Sequence, residues 1–117
     1  MSINKLTKQK NLLKRGFKMI KHVIVWTLKE MSDEEKISVK KNIKENLEAL
    51  KGKVSGILEI TVNTNPLPSS NADLCLDSTF ESAEALSGYA VHPDHVYVAD
   101  NFVRPFVALR SCIDYEI

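Results

Sequence analysis

The chain has 117 residues, 44% of them hydrophobic and 26% charged, the size and balance of one globular domain. Its net charge of +1 hides an asymmetry: residues 1–18 hold six lysines and arginines and no acid, leaving ten basic against fifteen acidic residues elsewhere. These figures exclude a basic nucleic-acid-binding core. Two cysteines exclude a disulfide scaffold, and no apolar run approaches the roughly 20 residues of a membrane span.

Residues 1–18 form a basic extension whose longest apolar stretch is Leu12-Leu13, too short for a secretory signal. Met19 directly precedes the first strand pattern, so the domain is expected to span 19–117, with Met19 a candidate start and the extension dispensable. The run IKHVIVWTLK (20–29) is rich in β-branched residues and predicts a strand. Its alternation places His22, Ile24, Trp26 and Leu28 on one face and Val23, Val25 and Thr27 on the other. Apolar residues on both faces mark it as central and covered on both sides. Ser32 and Glu35 have the spacing of a capping box, opening a helix that runs to about Lys51. Val39, Ile43, Leu47 and Leu50 form its buried stripe, Gly52 stops it, and Lys40, Lys41 and Lys44 are read as a solvated face.

A second strand is expected over about Ile57–Thr64, a Pro- and Ser-containing loop over 65–71, and a third strand over Asp73–Phe80. Ser82 caps a short helix from Ala83 to Tyr89, Pro93 opens another, and Pro105 ends it. A last strand covers Phe106–Tyr115. The order β-α-β-β-α-α-β suits an α+β ferredoxin-like plait, a four-stranded antiparallel sheet with helices on one face. A monomer would leave the other face, with its Ile, Leu, Trp and Phe, in water, so a homodimer packed sheet to sheet is expected. Cys75 and Cys112 fall on strands that the plait separates, so no internal disulfide is expected, and free thiols suit a cytoplasmic protein.

The segment Tyr89-Ala90-Val91-His92-Pro93-Asp94-His95 carries two of the three histidines. His95, near a helix N-terminus, should be held neutral, as a general base requires. Tyr89 is positioned to turn its hydroxyl into the same space, and His22 adds a polar ring on the apolar strand face. The plainer readings are a hydrogen-bonded core histidine at 22, a turn residue at His92, a helix cap at His95 and ordinary packing of Tyr89. The His-Pro-Asp-His spacing is no zinc signature and no glycine-rich phosphate loop is present, so neither metal nor cofactor is expected.

The segments MIKHVIVWTLK (19–29), DLCLDSTFES (73–82), AVHPDHV (90–96) and DYE (114–116) resemble the stress-responsive A/B barrel (Dabb) family of small dimeric α+β barrels. The resemblance implies a homodimer with an interior pocket for a small apolar or aromatic molecule; from composition, no nucleic-acid or membrane partner is expected. Its branch of plant polyketide (olivetolic acid) cyclases works without cofactor through a Tyr and a His spaced as Tyr89 and His95 are. By that resemblance His95 is the base that removes an α-proton and Tyr89 hydrogen-bonds the carbonyl or enolate. His22, Ile24, Trp26, Leu76 and Phe106 would line the cavity. The chain departs from that branch in having no aromatic residue over 33–51 and Leu74 where a pocket histidine stands. Two other readings are a noncatalytic stress-associated protein with a vestigial or ligand-binding cavity and, by fold analogy alone, a cofactor-independent monooxygenase.

Overall fold

A computed structural model describes residues 18–117; the basic extension lies outside them except for Lys18, which pairs with Glu116 at 3.3 Å. The strands are β1 (Ile20–Leu28), β2 (Ile57–Asn63), β3 (Leu74–Phe80) and β4 (Val107–Glu116). They form one antiparallel sheet in the order β2-β3-β1-β4, the ferredoxin-like plait. The helices are α1 (Asp33–Glu48), α2 (Ala83–Val91) and α3 (Pro93–Val98).

Helix α1 starts where Ser32 Oγ accepts the Glu35 amide at 3.1 Å and the Glu35 carboxylate accepts the Ser32 amide, a complete capping box. The expected stripe is buried, with Leu50 supplied by a 3-10 turn, Ala49–Gly52, that continues the helix. Two of the three lysines read as solvated do more. Lys44 Nζ reaches the Val62 carbonyl at 2.8 Å and Lys40 the Thr64 carbonyl at 3.2 Å. Glu48 in turn accepts the Val62 amide at 2.9 Å, so α1 satisfies part of the free edge of β2.

On the helix side of the sheet, His22, Ile24, Trp26, Leu74, Leu76, Ser78 and Phe80 are buried. The expected exposed face of Ile, Leu, Trp and Phe is corrected by this arrangement, because the helices cover those side chains. The face left open carries Val23 and Val25 of β1 and Leu109, Ile113 and Tyr115 of β4, with Lys21, Asp77 and Thr79 among them. The chain after Pro93 also differs from expectation. Helix α3 ends at Val98, and Ala99–Val103 widen into a π-helical turn. Pro105 falls in the 3-10 turn Arg104–Phe106 that follows, so β4 starts one residue later than expected. Among the described residues, no helix is long and apolar enough to cross a membrane.

Candidate active site

The corner between α2 and α3 builds the site. His92 caps both helices: its amide donates to the Tyr89 carbonyl at 3.1 Å, closing α2, and its Nδ1 accepts the Asp94 amide at 3.1 Å, opening α3. Pro93 fits the first helical turn, where no amide partner is required. The turn folds the last turn of α2 against the first turn of α3, so the Tyr89 and His95 rings pack together, tilted at 33° with 4.1 Å between centroids.

His95 Nδ1 lies 3.2 Å from the Ala90 carbonyl. A carbonyl only accepts, so Nδ1 carries the hydrogen and Nε2 is left with its lone pair. Burial pushes the His95 pKa below its ordinary value of 6.5, opposed by the bond to Ala90, while the nearby Arg104, His22 and Arg110 push it further down. The ring is therefore neutral near pH 7. Tyr89 is 2% exposed, tilted against Phe80 at 4.9 Å and edge-on to His22 at 6.3 Å. Burial drives its phenol pKa far above the usual range, so it stays a donor. Its hydroxyl has no hydrogen-bond partner among the described residues.

His22 stands behind this pair. Its Nδ1–H donates to Asp114 Oδ1 at 2.5 Å across the β1–β4 pairing, and Cys112 Sγ lies 3.8 Å from the same nitrogen. Among the described residues, His22, Cys112 and Asp114 are the donors close enough together to hold a cation, their ligating atoms all within 4.8 Å. A cation there would have to break the hydrogen bond between His22 and Asp114.

Beside the Tyr89–His95 pair opens a cavity of about 570 Å³, within the range of small-molecule sites. It lies between the sheet and the helices of a single protomer, on the side of the sheet away from the open face. Ile24, Trp26 and Leu76 make its floor, and Tyr89 and His95 also line it. His22 and Phe106 do not: His22 lies edge-on to Tyr89, and Phe106 packs against the core. Sequence reasoning missed Leu47 of α1, Ala99 and Val103 of the π turn, and Arg104 and Arg110 at the rim. Alternation along β4 was the available signal for Arg110, which pairs in register with Trp26.

The profile of the stress responsive A/B barrel domain matches residues 20–117. A stress-response A/B barrel domain-containing protein of Arabidopsis thaliana is 35% identical over 101 residues; these cover 83% of this chain but 36% of that protein, so the chain spans about a third of its length. A dimeric ferredoxin-like protein from Bacteroides fragilis superposes with a TM-score of 0.80 at 34% identity, over 85% of this chain and 96% of that one. The hydroxynitrile lyase of Passiflora edulis superposes with a TM-score of 0.70 at 17% identity, over 85% and 93% of the two chains, a likeness of fold alone. The chain belongs to the stress-responsive A/B barrel domain family.

Proposed function

We propose that the cavity binds a small, partly apolar carbonyl compound and moves a proton on it without a cofactor, in the manner of a cyclase or lyase. His95 Nε2 is the base that removes a proton α to the carbonyl. The Tyr89 hydroxyl donates to the oxygen on which negative charge then develops. The observation that carries this reading is the buried Tyr89 hydroxyl, without a partner among the described residues, on a ring packed against an imidazole whose Nδ1 is committed to Ala90. A buried donor costs free energy until a ligand oxygen accepts from it. The Passiflora fold neighbour, a hydroxynitrile lyase, supports the capacity of this fold for such small-molecule chemistry. A second copy of the chain on the open sheet face is part of this reading, supported by the exposed apolar side chains there and by the dimeric state of the Bacteroides fragilis relative.

The test is deuterium exchange at the α-carbon of a small β-diketone in heavy water, followed by proton NMR. Exchange is expected above the buffer rate and in proportion to protein. His95→Ala should lower it by about 10²–10⁴-fold, the usual contribution of a positioned general base. Exchange at the buffer rate, or exchange indifferent to His95→Ala and Tyr89→Phe, would leave the noncatalytic reading standing.

A further inference from the structure

We infer that the ligand of this cavity carries a carboxylate, received by Arg110 with Arg104 beside it, on an apolar body lying over Trp26. The inference rests on the cavity being the binding site proposed above, and it names the chemical class of its occupant. The floor supplied by Ile24, Trp26 and Leu76 is apolar, whereas one rim carries two guanidinium groups. Arg110 projects from β4 on the helix side of the sheet, in register with Trp26. Arg104 reaches the same space because the π turn and the 3-10 turn after it redirect the chain there. Both guanidinium groups line the cavity together with His95 and disfavour its protonation.

Their charges are not equally available. Arg104 is already paired with Asp100 one helical turn earlier. Among the described residues Arg110 forms no ion pair. Asp114, the nearest acid on that face of β4, is held by His22. One uncompensated positive charge thus borders an apolar cavity, which favours a single negative charge over the near-double charge of a phosphate monoester. A planar guanidinium also matches the two oxygens of a carboxylate in a paired, charge-assisted geometry. The cavity therefore has an apolar end, a cationic end and a neutral base between them.

Trp26 is the only tryptophan in the chain and is 4% exposed at the cavity floor, so its fluorescence reports occupancy directly. The full chain is titrated with pentanoate, the uncharged pentanamide of the same shape, and butyl phosphate. Pentanoate is expected to bind at least about tenfold more tightly than pentanamide at low salt, with the preference shrinking as salt is added. Arg110→Gln should bring the two to within about twofold, with a circular dichroism spectrum and thermal melt like the parent's showing that the variant is folded. Arg104→Gln should cost less, because that charge is already compensated. Equal binding of pentanoate and pentanamide, no saturable response to pentanoate, or tighter binding of butyl phosphate would each overturn the inference. His95→Ala separates this inference from the catalytic reading. It should lose proton exchange and retain the pentanoate preference, so that exchange undiminished by the substitution, with the preference intact, sinks the catalytic reading alone.

Discussion

Tyr89 and His95 have opposite relations to water, and both are testable as stability effects. Folding removes the Tyr89 hydroxyl from solvent and gives it no partner among the described residues, a condition that costs about 1–3 kcal/mol. Were the hydroxyl structural, removing it would weaken the fold. Tyr89→Phe is instead expected to raise stability by about 1 kcal/mol, as a higher urea midpoint with unchanged slope, while proton exchange falls. A lower midpoint would assign the oxygen a structural bond. For His95 the sign follows from its depressed pKa, whose largest cause is burial. Above about pH 6.5 the imidazole is neutral in both folded and unfolded chains, and its full contribution is present. As pH falls below that value, the unfolded chain takes a proton that folded His95 still refuses, and stability declines. Urea unfolding of the parent should lose stability from about pH 7 to pH 5 more steeply than that of His95→Gln. The same depression keeps the base unprotonated, so the acid limb of the exchange rate should lie below about pH 6.5.

The elements that hold this pair depend on one close approach. Gly56, just before β2, has φ +91°, and a Cβ built there would stand 2.6 Å from the Ala85 Cβ of α2. Both the backbone conformation and the contact require glycine. Gly56→Ala is expected to destabilise the chain by about 2 kcal/mol or more and, by pushing on the helix that carries Tyr89, to weaken binding in the cavity. Thermal melts together with Trp26 fluorescence would show both effects, and an unchanged melt would remove the packing argument. Regions whose local chemistry is self-sufficient were legible in the sequence: the alternation of β1, the Ser32–Glu35 box, the stripe of α1, and the Tyr89–His95 corner set by His92 and Pro93. Features set by tertiary geometry were not. The π turn at Ala99–Val103 shifts the phase of the helix, so no helical spacing points Arg104 toward the cavity. A register irregularity between Ile57 and Glu59 leaves Leu58 outside the paired register, buried with Met19 in a cluster apart from the main core, which the alternation of β2 does not foretell. Lys44 looks solvated until the edge of β2 is placed beneath it.

At the scale of the molecule the sheet divides two roles. Its helix side closes over the cavity, while its open side presents Val25, Leu109, Ile113 and Tyr115, from 37% to 68% exposed, along two neighbouring strands. Apolar side chains grouped this way are unfavourable in water and favour a second copy of the same surface. Ile113 lies opposite Val23 in the β1–β4 pairing, within this patch. Ile113→Lys should therefore convert a dimer to a monomer by light scattering, since a charge buried at a twofold contact is introduced twice. The parent should melt at a temperature that rises with protein concentration, and the variant should lose that dependence. The cavity is lined from one protomer on the opposite side of the sheet, so the monomeric variant should keep its pentanoate preference. Loss of that preference together with the dimer would mean that the partner holds β4, and with it Arg110, in place. Its retention would make the pocket a property of the single chain, with the dimer supplying stability and not the site.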